Sequence, residues 1–230
     1  MLELFTSQSC SSCPAADRLV SQLGRDGTLP YVVIPLAYHV DYWNRTGWRD
    51  PFAKKQWTAR QEAYAKTLRT RQIYTPQAII NGRMEAIGSD ETRLREEIRN
   101  AQLTPPAGRV TLSIARPMAG DLALRVRVTA ELTRKLNAKA VQVVVALFEN
   151  DLTTEVADGE NRGQTLTNDF VVRQLVQVFS LSKPFIEQEG LAVFDLDPRW
   201  RTDALGVAAF LQDPATLAIY GATVRSVGGA

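Results

Sequence analysis

Two cysteines near the amino terminus constrain the fold more than any other feature of the sequence. They are Cys10 and Cys13, the only cysteines among 230 residues, and they lie in the segment LELFTSQSCSSCPAADRL. The letters LELFT are typical of a short apolar strand, and CPAADRLVSQLG places Leu19, Val20 and Leu23 at helical spacing. We therefore predict a strand–helix junction, with Cys10 just after the strand and Cys13 near the start of the helix.

The composition is that of a globular protein, with 45% hydrophobic residues and a net charge of +2. So small a charge argues against binding to nucleic acid or to an anionic membrane surface. No apolar run approaches the roughly 18 residues that a membrane-spanning helix needs, so no membrane span is expected. The first residues also lack the basic region, apolar core and cleavage site of a signal peptide, and none is expected within this chain.

Residues 1–103 alternate strand-like and helix-like segments. After the first strand and helix, YVVIPLAYHV is typical of a buried parallel strand, and residues 50–68 favour a helix with Asp50 as its N-cap. The segments QAIING and RMEAIG predict a hairpin that turns at Asn81-Gly82, and SDETRLREEIRNAQL predicts a last helix. We assign this order of elements to the α/β class.

The pattern changes at TPPAG, where two consecutive prolines make a linker. Beyond it, short segments such as AVQVVVALFEN alternate in the manner of strands. Seven such segments without a strong helix between them predict an antiparallel β-sandwich. The predicted domains are therefore residues 1–103, with a helical insertion near 50–68, and residues 108–230.

The direction of the strands decides which residues meet at the end of the predicted sheet. A strand–helix–strand crossover requires the first two strands to be parallel. Cys10, which follows the first strand, and His39, which ends the second, therefore lie at the same edge. If the third strand is antiparallel, its start at Thr75-Pro76 lies at that edge as well. The edge then collects six residues: Cys10, Cys13, His39, Asp41, Thr75 and Pro76.

Thiol–disulfide exchange is the chemistry that this arrangement favours. A thiol at the start of a helix lies near unpaired backbone N–H groups and the positive end of the helix dipole, which favour the thiolate. Two intervening residues let Cys10 and Cys13 form and break an intramolecular disulfide. Exchange needs a nucleophile, a resolving thiol and an exposed first sulfur. Cys10 is the expected nucleophile, and Cys13 is the expected resolving thiol.

The first hundred residues resemble the thioredoxin fold, in which a CxxC motif at a strand–helix junction faces a cis-proline. The letters CSSC match that motif, and Thr75-Pro76 matches the Thr-Pro before the third strand. The longer pattern ELFTSQSCSSCPAADRL, HVDYW, GWRDPFA, YTPQ and ENRGQTL resembles more closely a bacterial family of thioredoxin-like proteins of unknown function.

The resemblance implies a minimal thioredoxin-like domain and a periplasmic or secreted location, with the cytoplasm as the alternative. It also implies a cis peptide bond before Pro76 and a role for Thr75 and Pro76 in presenting the backbone of a partner. One departure is Ser9, which stands where thioredoxins carry an aromatic residue. The substrate and the redox potential of thioredoxin therefore do not carry over.

Three features leave more than one interpretation open. Cys10 and Cys13 can instead form an inert disulfide, although a bridge that closes so short a loop removes little chain entropy. His39, the only histidine, is either a hydrogen-bonded structural group, a proton carrier for a cysteine, or a third ligand of copper(I) or zinc. Trp43, with the other aromatic residues of HVDYWNRTGWRDPFA, forms either a cap over the edge or the wall of a peptide groove.

The polar segment EVADGENRGQTLTND lies within the second predicted domain. It is either a solvated loop or a bridge back to the first domain, since binding residues often lie on such loops. The residues that would form the bridge are Glu160, Asn161, Arg162, Asn168 and Asp169.

We therefore predict a thiol–disulfide oxidoreductase with Cys10 and Cys13 as catalytic residues. It is expected to act on a protein or peptide substrate, to need no cofactor, and to be recycled by a redox partner. The alternatives are a copper- or zinc-binding protein that uses Cys10, Cys13 and His39, and a non-enzymatic binding module. The residues expected to contact substrate are Thr75, Pro76, His39, Asp41 and Trp43.

Overall fold

The computed structural model describes residues 1–115, 117 and 120–228. They contain three α-helices and thirteen β-strands, which makes a mixed α/β protein dominated by sheet. The chain divides into two compact units. The first comprises Met1–Thr104 and Asp151–Val171, and the second comprises Pro105–Asn150 and the residues from Val172 onward. Residues 151–171, which the sequence placed in the second domain, thus belong to the first unit.

The sheet of the first unit has the strand order β2-β1-β3-β4. Its strands are β1 (Leu2–Thr6), β2 (Pro35–His39), β3 (Gln77–Ile80) and β4 (Met84–Ile87). Strand β1 pairs in parallel with β2 and antiparallel with β3, as the sequence predicts. In the β3–β4 turn, Asn81 and Gly82 have φ values of 47° and 65°. Positive φ at both positions is the requirement of a tight hairpin turn, which the Asn-Gly pair meets.

Helices cover both faces of this sheet, and they are α1 (Cys13–Arg25), α2 (Lys55–Leu68) and α3 (Glu91–Gln102). Leu2 and Leu4 pack in one apolar cluster with side chains of α1 and α3. On the opposite face, Phe5 stacks on Tyr38 of β2 and contacts Tyr64 of α2. Because both faces are covered, every residue of β1 and β2 is buried. No helix among the described residues is long and apolar enough to cross a membrane.

Helix α2 begins four residues later than the sequence predicts. Its N-cap is Lys54, and Asp50 does not cap it. The Asp50 side chain is buried and accepts hydrogen bonds from the N–H groups of Gln8 and Phe52, at 2.8 Å and 2.9 Å. A carboxylate that is engaged in this way is not available to the first turn of a helix, so the predicted N-cap was wrong.

A short hairpin of β8 (Leu152–Glu155) and β9 (Thr165–Asn168) completes the first unit. The sequence predicted a polar loop here, because four-residue strands with a polar residue on the buried side show no clear alternation. Leu166 and Asn168 point inward and are buried. The base of the hairpin is held to α1 by Arg25, which donates to Asp151 at 2.7 Å and to Asp169 at 2.6 Å.

The second unit has two sheets, with the strand orders β13-β12-β7-β10 and β11-β6-β5. Strand β12 pairs antiparallel with β7 and β13, and β6 pairs antiparallel with β5 and β11. Inward side chains of both sheets, such as Val126, Val145 and Phe194, share one apolar cluster. The strands are β5 (Gly108–Ile114), β6 (Ala123–Leu132), β7 (Val141–Glu149), β10 (Val171–Leu181), β11 (Gln188–Asp195), β12 (Leu205–Gln212) and β13 (Ile219–Ser226).

Candidate functional site

The carboxyl ends of β1 and β2 and the start of β3 lie at one edge of the sheet in the first unit. The register pairs Thr6 with His39, and Phe5 with Gln77. The peptide bond before Pro76, immediately upstream of β3, is cis, as the resemblance implies. This edge therefore places the loop after β1 beside the segment that leads into β3.

Cys10 and Cys13 form a disulfide between the loop after β1 and the first residue of α1. Their Cα atoms are 5.4 Å apart, within the usual range for a disulfide. The Sγ atom of Cys10 lies 3.3 Å from Oγ of Ser12 and 3.9 Å from the carbonyl oxygen of Thr75. The side chain of the N-cap residue Ser12 makes no capping hydrogen bond to α1. The N–H of Cys13 donates to the carbonyl oxygen of Cys10 at 3.2 Å, and Pro14 has no N–H. The N–H groups of Ala15 and Ala16 and the helix dipole are left to stabilise a thiolate when the disulfide is reduced.

Both cysteines are buried in this disulfide form. Cys10 is 1% exposed and Cys13 is 0% exposed, although Ser11 and Ser12 between them are exposed. Exchange requires an attacking group to reach a sulfur atom. The described structure thus holds the disulfide in a covered state.

The connection between β8 and β9 is hydrogen-bonded to the backbone of the cysteine loop. Asn161 is 1% exposed, and its Nδ2 donates to the carbonyl oxygens of Gln8 at 2.8 Å and Cys10 at 3.0 Å. The carboxylate of Glu160 accepts from the N–H of Ser11 at 2.9 Å. The interpretation as a bridge is therefore confirmed for Glu160 and Asn161. It is also confirmed for Asn168, which accepts from Gln8, and for Asp169, which accepts from Arg25 of α1, whereas Arg162 is exposed.

Gln8 connects the cysteine loop to two other segments, and it was not among the predicted site residues. Its N–H donates to Asp50 at 2.8 Å, and its Nε2 donates to Thr154 at 3.0 Å and to Asn168 at 2.8 Å. Its Oε1 accepts from the indole N–H of Trp48 at 3.2 Å. A glutamine just before a CxxC motif gives no signal of this role, because polar loop residues are usually exposed.

His39 is buried, and its Nδ1 lies 2.6 Å from Oδ2 of Asp50. Burial raises the pKa of Asp50. The charge and hydrogen bond of His39 and the two backbone N–H donors outweigh that effect and hold the pKa below 3.8. Among the described residues, no group of three or more His, Cys, Asp or Glu side chains can hold a metal ion. Cys10 and Cys13 are joined in a disulfide and offer no thiolate in this state, so the alternative copper or zinc site of Cys10, Cys13 and His39 stays a prediction.

Asp17 is a second site residue that the sequence did not single out. It is buried in α1 four positions after Cys13, so the two side chains share one helix face. Its Oδ1 has no hydrogen-bond partner within the described part of the chain. Burial raises the pKa of Asp17 from 3.8 to about 6, and the nearby charge of His39 opposes that rise. A carboxylate of this kind can accept a proton from a buried thiol at neutral pH.

The segment before Pro76 is fixed by hydrogen bonds from two directions. The indole N–H of Trp43 donates to Oγ1 of Thr75 at 2.7 Å. The buried side chain of Gln61 in α2 donates to the carbonyl oxygen of Tyr74 at 2.7 Å. Trp43 therefore supports the loop that faces Cys10.

Asp41 makes different contacts from the other predicted site residues. Its N–H donates to Oγ1 of Thr58 at 3.1 Å, and its carboxylate accepts from the same hydroxyl at 2.5 Å. Thr58 belongs to α2. The hydrogen bonds of Asp41 thus connect the end of β2 to α2 and do not involve the cysteines.

Comparison with known proteins finds a matching family and two similar solved structures. The family described as "Protein of unknown function (DUF1223)" matches residues 1–212. A crystal structure of an Agrobacterium tumefaciens protein is similar at 29% identity and a TM-score of 0.73, over 99% of this chain and 93% of that chain. The structure of HBP35 of Porphyromonas gingivalis has a TM-score of 0.75 at 16% identity, over 100% of this chain and 75% of that chain. This second likeness concerns the fold alone. None of the curated proteins compared with this chain matches it.

Proposed function

The chain belongs to the DUF1223 family of proteins of unknown function, and from its site we propose that it is a thiol–disulfide oxidoreductase. The observation that carries the proposal is the disulfide between Cys10 and Cys13, formed where a strand end meets the first residue of a helix. A CxxC disulfide in this position is compatible with redox function.

We assign the first unit to the thioredoxin-like folds and the second unit to the β-sandwiches. The parallel pair β1–β2, the antiparallel hairpin β3–β4 and the helices on both faces support the first assignment. The cis peptide bond before Pro76 supports it as well. Two sheets that share one apolar cluster support the second assignment.

In the reductive direction, the thiolate of Cys10 attacks one sulfur of a partner disulfide. A mixed disulfide forms, and the other partner sulfur leaves as a thiolate. The thiolate of Cys13 then attacks Sγ of Cys10, which restores the Cys10–Cys13 disulfide and releases the second partner thiol. Two electrons and two protons pass from the cysteine pair to the partner. A separate thiol donor must then reduce the pair, so the cycle needs a redox partner.

The surrounding residues would serve the two cysteines in different ways. The positive end of the α1 dipole and the N–H groups that follow Pro14 stabilise the Cys10 thiolate. Asp17, on the same helix face as Cys13, accepts the proton of the resolving thiol. The carbonyl of Thr75 lies beside Cys10 and offers a hydrogen-bond acceptor to the backbone of a bound substrate.

The proposed location is the periplasm or the exterior of the cell. The resemblance of the sequence supports it, and disulfides persist in such oxidising compartments. The disulfide state of Cys10 and Cys13 fits that environment.

The test uses insulin as the disulfide substrate and dithiothreitol as the electron donor. Wild type should accelerate insulin reduction, and Cys10→Ser should abolish the acceleration because the nucleophile is missing. Cys13→Ala should stop after the first attack and carry insulin on Cys10 as a mixed disulfide, detected by non-reducing mass spectrometry. The proposal is wrong if wild type neither turns over insulin nor exchanges its disulfide with a glutathione redox buffer.

A further inference from the structure

We infer that the connection between β8 and β9, residues 156–164, is a gate over the Cys10–Cys13 disulfide, and that exchange requires this gate to open. We call this segment the gate loop. The inference concerns access to the sulfur atoms, and its physiological meaning rests on the proposed oxidoreductase function. Opening of the gate is then a step that precedes exchange, and this step limits which thiols react and how fast they react.

The gate loop is held closed by hydrogen bonds to the backbone of the cysteine loop, and none of them involves a sulfur atom. Asn161 donates to the carbonyl oxygens of Gln8 and Cys10, and Glu160 accepts from the N–H of Ser11. These three bonds can break without any covalent change at the disulfide. The cover is therefore separable from the reacting atoms.

Two glycines let the gate loop approach the neighbouring loop closely. A Cβ atom on Gly47 would lie 3.2 Å from the backbone of Gly159, and a Cβ on Gly159 would lie 3.1 Å from the backbone N of Trp48. Both glycines have positive φ, 105° and 77°. Larger residues at either position would hold the two loops apart, so the closed position depends on the glycine pair.

The base of the hairpin is anchored, whereas its tip has few buried contacts. Gln8 binds Thr154 in β8 and Asn168 in β9, on either side of the gate loop. Within the gate loop, the buried side chains are Val156, next to the end of β8, and Asn161, at the tip. A tip that is closed by one buried side chain can detach while the strands below it remain paired, which is the requirement of a gate.

The experiment measures how fast dithiothreitol reduces the disulfide of the full chain under native conditions. One thiolate of the reagent attacks the disulfide, and its second thiol closes the reagent into a ring, so that Cys10 and Cys13 leave as thiols. Timed quenching with a maleimide mass tag reports the reduced fraction. Asn161→Ala should accelerate reduction roughly tenfold, because two hydrogen bonds to the cysteine loop are lost.

Three further variants separate the gate from general effects. Glu160→Gln, which keeps the side-chain shape at an exposed position, should accelerate reduction by roughly two- to threefold. Arg162→Ala, exposed in the same loop, should leave the rate unchanged. Val126→Ala, which weakens the apolar cluster of the second unit, controls for acceleration through general destabilisation and should also leave the rate unchanged.

The inference is overturned if Asn161→Ala and Glu160→Gln reduce at the wild-type rate, or if Arg162→Ala or Val126→Ala accelerates as much as they do. The outcome is distinguishable from a failure of the proposed function. Faster reduction of Asn161→Ala without insulin turnover by any variant supports the gate and contradicts the proposed oxidoreductase function. Insulin turnover with equal reduction rates in all variants contradicts the gate and leaves the proposed function supported.

Discussion

The two units of this protein differ in what they bury. Thirteen of the sixteen buried polar or charged residues in the described part of the chain belong to the first unit, and three belong to the second. The core of the second unit is almost entirely aliphatic and aromatic. Buried polar groups cost stability unless they are paired, and they concentrate where a protein does chemistry. The contrast teaches that the first unit is organised around its site and the second around its core.

The largest effect is expected from a change in the core of the second unit. Phe194→Ala should lower the free energy of unfolding by about 3–5 kcal/mol, because it removes a fully buried ring from the shared cluster. Urea denaturation followed by circular dichroism measures the loss. The adjacent Val193, 45% exposed, supplies the control, and Val193→Ala should change stability by less than about 0.5 kcal/mol. Equal losses in the two variants would contradict the assignment of the core.

Replacement of the buried carboxylate of Asp17 in the first unit should change how the stability of the protein depends on pH. The pKa of Asp17 is raised by burial from 3.8 to about 6, so the folded state binds more protons than the unfolded state between these values. Wild-type stability should therefore fall as the pH rises through this range. Asp17→Asn, which cannot ionise, should gain up to about 3 kcal/mol over wild type between about pH 4 and about pH 8. If the free energies of unfolding of the two proteins depend on pH in the same way, the raised pKa assigned to Asp17 is wrong.

Asp50 should show the opposite pH dependence. Its pKa is held below 3.8, so its contribution to stability is present above that value and is lost as the pH falls through the lower folded value. Asp50→Asn should lower stability by roughly 1.5–3 kcal/mol at neutral pH, because hydrogen bonds to a charged acceptor are weakened. Acid denaturation of the variant beside wild type measures the effect. A variant whose deficit is unchanged down to about pH 2 would argue against a charged Asp50.

The smallest effect is expected from an exposed ion pair in the first unit. Arg95 donates to Glu91 at 2.8 Å along α3, and both side chains are more than one third exposed. Arg95→Ala should change the free energy of unfolding by no more than about 0.5 kcal/mol, since water screens such pairs. Thermal denaturation in low and high salt is the check. A larger loss would mean that the stability of this unit depends on its exposed polar contacts as well as on its buried ones.

Local patterns predicted most of what lies within one element or one turn of the first unit. The strand before Cys10, the helix from Cys13 and the turn at Asn81-Gly82 follow from spacing and residue type. The membership of a family of unknown function was likewise evident from the residues around the cysteines. The hairpin of β8 and β9 was not predicted, because its strands are short and carry polar residues on the buried side.

The sequence by itself determined that Cys10 and Cys13 lie at a strand–helix junction, because periodicity and spacing are properties of neighbouring residues. Only the tertiary structure decided that the backbone of the cysteine loop is bound by Glu160 and Asn161, about 150 positions along the chain. It also decided that Asp17 and Asp50 are buried. Burial and hydrogen-bond partners depend on segments that meet only when the chain folds, and no local pattern records them.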